Sequence, residues 1–146
     1  TDLNKDIENT ITLLGHKLRE KNITVKKLYC ENLAEVPAYI GELNQVWTNL
    51  IDNAIYALDK NGELSIETMC NNNSVTVKMI DNGSGIPEEM LSRIFDPFFT
   101  TKKVGEGTGI GLDLVNRIVK HHNGKISVNS KPGRTEFIIN LPISGK

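Results

Sequence analysis

Gly105-Glu106-Gly107-Thr108-Gly109-Ile110-Gly111-Leu112 is the stretch on which the reading of this chain turns. Four glycines alternate with other residues, and the following Asp113-Leu114-Val115-Asn116-Arg117-Ile118-Val119-Lys120 has the apolar spacing of a helix. Glycines just before a helix let the backbone approach a ligand closely and aim amide N–H groups at it. The helix N-terminus adds partial positive charge. Such a segment can cradle phosphate, although glycines at this density also suit a plain loop. Two familiar cradles do not apply. A dinucleotide fingerprint follows a strand directly, and Phe98-Phe99-Thr100-Thr101-Lys102-Lys103-Val104 reads as loop. A Walker loop ends in Gly-Lys-Ser/Thr, and Gly111 is followed by Leu112-Asp113.

Upstream lies Phe95-Asp96-Pro97-Phe98-Phe99-Thr100-Thr101-Lys102, which holds three of the four phenylalanines. Between two glycine clusters they suit the anchor of a lid that buries itself over a ligand; as core they would be unremarkable. Before them, Pro87 to Phe95 reads as a short helix with Pro87 in its first turn and acids following. The second glycine cluster is Asp81-Asn82-Gly83-Ser84-Gly85-Ile86-Pro87, and it terminates a strand. Glu63–Met69 and Ser74–Ile80 alternate apolar and polar residues, with Asn71-Asn72-Asn73 as a hairpin loop. A turn after a strand is the plain reading of Asp81 onward. An Asp exposed by two glycines at the end of a buried strand can also accept a hydrogen bond from a ligand amine. The adenine N6 amine is such a donor, whereas guanine carries a carbonyl oxygen there.

The most regular helix runs from about Gly41 to Leu58, with Leu43, Val46, Trp47, Leu50, Ile51, Ala54, Ile55 and Leu58 on one broad face. Asn49 and Asn53 stand one turn apart on that background, so both amides point to one side. Either they cap or face solvent, or they line a polar pocket where an amide oxygen can ligate a hard cation such as Mg²⁺. At the start of the chain, Asp6–Lys21 reads as one helix ended by Asn22, and a half-buried strand runs from Ile23 to about Cys30. Lys125–Asn129 and Thr135–Leu141 form the last strands. His121 and His122 are adjacent on a helix end and do not share a face, which speaks against a joint metal site.

The 146 residues suffice for one domain with a real core. A net charge of -1 gives no pull toward nucleic acid or membrane, and no apolar run approaches the ~20 residues of a membrane span. Cys30 and Cys70 are too few for a disulfide framework or a zinc site and read as reduced, cytosolic thiols. A chain that starts at Thr1 is expected to be a piece of a longer protein.

Together these segments resemble the ATP-binding catalytic domain of sensor histidine kinases, within the superfamily of gyrase B, heat-shock chaperone ATPases and mismatch-repair ATPases. Four boxes carry the resemblance in order across nearly the whole chain. They are Asn49-Leu50-Ile51-Asp52-Asn53-Ala54, the Asp81 to Pro87 cluster, Phe95 to Lys102, and Gly105 to Leu112. The resemblance implies an α/β (α+β) two-layer sandwich, a mixed and largely antiparallel sheet with helices on one face and an ATP lid from about Ser84 to Gly107. That lid is expected to be mobile without nucleotide. It implies one domain over 1–146, with ATP and Mg²⁺ as ligands.

By the same resemblance Asn53 ligates Mg²⁺ and Asn49 assists, and Asp81 takes the adenine amine, with Gly83 and Gly85 making room. Gly107, Thr108, Gly109, Ile110, Gly111 and Leu112 wrap the phosphates, and Arg93 and Lys102 neutralise them. Ile86 and Phe98 line the site, and Thr135 holds adenine through water. Hydrolysing members carry a Glu four residues before the Mg²⁺ ligand. Asn49 stands there and cannot act as a general base, so the γ-phosphoryl group is expected to pass to a histidine on a separate dimerisation domain, and onward to a response regulator receiver domain.

The catalytic set implied is Asn49, Asn53 and Lys102. The implied partners include neither nucleic acid nor membrane, and the implied state is a cytoplasmic monomer. Tyr56 departs from the Lys common in these kinases, and Arg134 precedes Thr135 in a shortened glycine turn. No His-Glu/Asp-Leu-Arg phosphoacceptor box is present; His16 has no acid after it. An ATP-switched binding module and an anti-sigma-type serine kinase of the same fold remain as alternatives.

Overall fold

The computed structural model describes residues 1–71, 73–96 and 111–143. Helices α1 (Leu3–Leu13) and α2 (Gly15–Glu20) lead into β1 (Thr24–Leu28), followed by α3 (Ile40–Ala57), β2 (Glu63–Cys70) and β3 (Ser74–Asp81). The short α4 (Glu88–Leu91), α5 (Gly111–His121), β4 (Lys125–Lys131) and β5 (Arg134–Pro142) complete the chain. The five strands form one sheet in the order β1-β2-β3-β5-β4. Among the described strands only β1 and β2 run parallel, and they are the pair joined across α3. The other three pairings are antiparallel. The mixed, largely antiparallel sheet therefore matches expectation.

Alternation sets the layers. Leu64, Ile66 and Thr68 of β2 and Val75, Val77, Met79 and Asp81 of β3 are buried, while the residues between them are not. The covered face meets α3 and α5, whose apolar stripes supply Leu43, Trp47, Leu50 and Ile51 on one side and Val115 and Val119 on the other. Burial of such side chains stabilises by about 1.5–3 kcal/mol each, so the sheet–helix interface dominates the fold.

One expected helix is two. The run predicted as Asp6–Lys21 breaks at Leu14, between α1 and α2. Thr10 and Thr12 turn their hydroxyls back onto the Asp6 and Glu8 carbonyls, a habit that bends helices. Gly15, a poor helix former, follows at once. Asn22 ends α2 in the left-handed region at φ 52, as its type allows. The strand boundaries move outward: β2 reaches Cys70, β3 includes Asp81, and β4 extends to Lys131 because the alternation continues through Ser130. β1 is shorter than expected, ending at Leu28. The helix expected over Pro87–Phe95 closes after Leu91 and continues as a turn.

Candidate functional site

Strand register arranges the covered face in rows across the sheet. Ile66, Met79, Phe137 and Val128 make one row, apolar throughout. The row beyond it, at the sheet end, is Leu64, Asp81, Thr135 and Ser130, in which three of four side chains are polar. Asp81 is 5% exposed and accepts a 2.9 Å hydrogen bond on Oδ1 from the Gly83 N–H. Burial pushes its carboxyl above the usual carboxylate range, an effect that the Gly83 hydrogen bond offsets only in part. No other hydrogen-bond partner meets this carboxylate among the described residues. Beside it the Thr135 and Ser130 hydroxyls share a 2.7 Å bond, and Ser130 Oγ accepts the Ile86 N–H at 2.7 Å. Ser130 thus ties the segment after Asp81 to β4. Sequence alone does not reveal it, because the strand predicted there stops at Asn129, one residue early.

Gly83 and Gly85 have work to do within the fold. A Cβ on Gly83 would lie 2.6 Å from the Ala57 carbonyl oxygen at the end of α3. One on Gly85 would lie 2.5 Å from the Lys131 carbonyl oxygen, and Gly85 sits at φ 87. The end of α3 is fixed on its other side by Lys21. Its Nζ donates to the Ile55 and Leu58 carbonyls at 2.7 and 2.9 Å, a cationic cap where the helix dipole favours one.

The helical wall carries the two asparagines. Asn49 and Asn53 are half-buried on α3. Asn49 Nδ2 donates to the Gly111 carbonyl at 3.3 Å, bringing the first residue of α5 to α3. Asn53 has no hydrogen-bond partner among the described residues. The acid between them, Asp52, is drawn away by Lys17 at 3.0 Å. A Cβ added on Gly111 would make only ordinary van der Waals contact among the described residues, with Asn49 Nδ2 at 3.8 Å and Cγ at 3.9 Å. Leu112 is half-buried against the core.

Arg93 lies exposed after α4, 3.9 Å from Asp96. Phe98, Lys102, Gly107, Thr108, Gly109 and Ile110 fall outside the described residues, as does the second part of the expected lid, 97–107. A cleft of about 820 Å³ opens beside the polar row, lined by Tyr56, Gly85, Ile86, Met90, Ser130 and Pro132 among others. Asp81, Asn49 and Asn53 are not among its walls, so it adjoins the polar row and does not contain it.

At the opposite ends of α3 and α5, His121 and His122 converge after all, with ring centroids 5.6 Å apart. Glu42 joins them, its carboxylate 2.8 Å from His121 Nδ1. Both nitrogens of His122 are occupied. Nε2 accepts the Tyr39 N–H at 3.1 Å and Nδ1 donates to the Ile118 carbonyl at 2.8 Å, which fixes the neutral tautomer. His122 joins two helix ends.

The sequence and the fold both match a known group of proteins. The family described as "Histidine kinase-, DNA gyrase B-, and HSP90-like ATPase" matches residues 39–145. The chain belongs to that family. It is 35% identical to the sensor histidine kinase ZraS of Escherichia coli K12 over 144 residues, which are 98% of this chain and 30% of that protein. It is 33% identical to sporulation kinase C of Bacillus subtilis over 143 residues, 97% of this chain and 33% of that protein. The chain thus spans about a third of the length of these curated relatives. Among solved structures it resembles a nucleotide-free catalytic domain of histidine kinase ThkA, with a TM-score of 0.91 at 33% identity, over 100% of this chain and 97% of that one. The ThkA structure in complex with response regulator protein TrrA gives a TM-score of 0.84 at 29% identity, over 99% of this chain and 41% of that one. These neighbours share the sheet-and-helix architecture, and no described helix is long and apolar enough to cross a membrane.

Proposed function

We propose that residues 1–146 form one catalytic domain of a two-component sensor histidine kinase, a part of a longer protein, which binds Mg-ATP and passes the γ-phosphoryl group to a histidine on a separate phosphoacceptor domain. The observation that carries this reading is the buried Asp81 carboxylate, with one oxygen unpartnered among the described residues, in the same site region as an α3 wall that offers amides and no free acid. An adenine amine suits the open oxygen, and the Ser130–Thr135 hydroxyl pair beside it suits a water-bridged ring nitrogen. Asn53 would offer its amide oxygen to Mg²⁺, whose charge offsets that of the phosphates. Asn49, tied to Gly111, would set the approach of α5, and the α5 N-terminus would receive phosphate oxygens through its free N–H groups. Lys102, Arg93, Phe98, Ile86 and the glycine segment from Gly107 to Leu112 would complete the site.

The absence of a carboxylate at position 49 supports transfer over hydrolysis. An amide cannot take a proton from water at neutral pH, and Asp52 is held by Lys17. The domain would hold its nucleotide until an acceptor nitrogen is placed in line, so that positioning and charge neutralisation supply the rate. The sensor-kinase relatives support a histidine as acceptor, and the ThkA–TrrA complex supports a receiver domain as the next partner. The domain would work as a monomer on the cytoplasmic side, where ATP is available.

Calorimetric titration with ATP and GTP, with and without Mg²⁺, tests the site, and incubation with a histidine-bearing helical domain tests the reaction. Adenine-selective, Mg²⁺-dependent binding and acid-labile phosphate on the added domain are expected. Steady ATP hydrolysis without that domain, or acid-stable phosphate on serine, would overturn the reading.

A further inference from the structure

Far from Asp81, at the other end of β2, two thiols meet. Cys30 Sγ and Cys70 Sγ lie 3.5 Å apart, from residues 40 apart in sequence. Cys70 is the last residue of β2 and is held in the sheet by its pairing with Val75. It continues the covered face of Leu64, Ile66 and Thr68 to the rim, where cover ends and its side chain is exposed. Cys30 follows β1, which pairs in parallel with β2 up to Leu28 and Glu67. Its backbone is pinned on both sides: its N–H donates to Thr68 Oγ1 at 2.9 Å, and its carbonyl accepts from Asn4 Nδ2 at 3.1 Å. Thr68 Oγ1 in turn donates to Asn4 Oδ1 at 2.9 Å, closing a ring of hydrogen bonds between α1, β1 and β2. Neither main chain is free to drift, so the sulfurs are neighbours by construction.

We propose that Cys30 and Cys70 are a redox modification site, closing to an intramolecular disulfide when a disulfide-class oxidant such as oxidised glutathione is present. Closure to a bond needs the sulfurs to approach from 3.5 Å to about 2.05 Å, a shift that rotation of the two side chains would supply. The more exposed Cys70 attacks one sulfur of the oxidant, forming a mixed disulfide and releasing one glutathione. Cys30 then attacks the Cys70 sulfur and releases the second. Two protein S–H bonds are lost, one S–S bond forms, and both protons and both electrons leave on two glutathione molecules. The Cys30 thiol is pushed up chiefly by its S–H···S bond to Cys70 and next by burial, which leaves Cys70 as the first to attack. The closed loop contains all of α3, so the bond would restrict the unfolded chain around the helix that bears Asn49 and Asn53. Six residues of strand, about 20 Å at ~3.3 Å per residue, separate Cys70 from Leu64, the row-mate of Asp81, so the nucleotide site should keep its shape.

The test equilibrates the 146-residue chain in glutathione buffers of increasing oxidised fraction, traps free thiols with a maleimide, and reads the intact mass and the linked peptides. The expected product is lighter by two hydrogens, resists the maleimide, yields one peptide joining Cys30 to Cys70, and melts several degrees higher than the reduced chain. Cys30→Ser and Cys70→Ser should each fold and lose that shift, and Cys30→Ser should stop at the glutathione adduct on Cys70. Full maleimide labelling of both cysteines at every buffer ratio would overturn the proposal. So would a wild-type chain that stops at a stable glutathione adduct or forms only intermolecular dimers.

Discussion

At the sheet end of the site Gly83 and Gly85 press against the protein's own carbonyls, whereas at the helix end Gly111 has only the Asn49 amide near the place a Cβ would occupy. Similar glycine clusters in sequence thus answer to different demands. The first is needed for the segment after β3 to pass close to the end of α3 and to Lys131 at the end of β4. The second leaves room that no described protein atom fills. The first cluster is therefore a product of folding, and the second is the one that the proposed function assigns to the ligand.

Gly85→Ala should break the molecule hardest. A methyl at φ 87, driven toward the Lys131 carbonyl, should cost at least ~2 kcal/mol of stability, read by urea denaturation. A stable Gly85→Ala variant that merely lost nucleotide would move this glycine to the ligand's side of the comparison. Asp81→Asn should separate folding from binding. The amide keeps the acceptor that Gly83 uses and sheds a buried charge, so stability should hold or rise. Adenine nucleotide affinity should fall about 100-fold, close to the ~1.5–3 kcal/mol of a hydrogen bond to a charged group. Calorimetry and melting curves on the same sample decide it.

Gly111→Ala should do the opposite of Gly85→Ala: unchanged or slightly raised stability, by up to ~1 kcal/mol from helix propensity, with about tenfold weaker nucleotide binding. Undiminished affinity would show that the open space at α5 is not the ligand's.

The smallest effect is in pH. Asp81 holds its proton to higher pH folded than unfolded, so between those two pKa values the folded chain binds more protons. Its contribution to stability is full below the unfolded value and is lost as pH rises through the folded one. Asp81→Asn should flatten that component of the stability profile, and an identical slope in both proteins would show that the burial of this carboxylate has no energetic weight.

Much of this was legible because alternation and helical spacing are properties of the chain alone. β2 and β3 could be read from their period, and the helix expected from about Gly41 to Leu58 lay within one residue of the one found at each end. Asp81, Asn49 and Asn53 could be singled out because polar residues at strand ends and on apolar helices need a reason. What escaped depends on pairing between distant segments. Ser130 gains meaning only through its register with Thr135 and its bond to Ile86. The helix break at Leu14 depends on hydroxyls turning back on their own carbonyls. The contact of Gly83 with Ala57, and the convergence of His121, His122 and Glu42, require the helices to be seated on the sheet.

The strand order also has a kinetic meaning. β2–β3 and β4–β5 are hairpins whose partners are near in sequence, so they can form early. The β3–β5 pairing that sets Asp81 against Thr135 bridges more than fifty residues of chain and incurs the largest loop-closure cost among the antiparallel pairs. The proposed nucleotide site lies across that late seam. A partly folded chain would hold both hairpins and no pocket, so competence to bind should arrive in one step with the last pairing of the sheet.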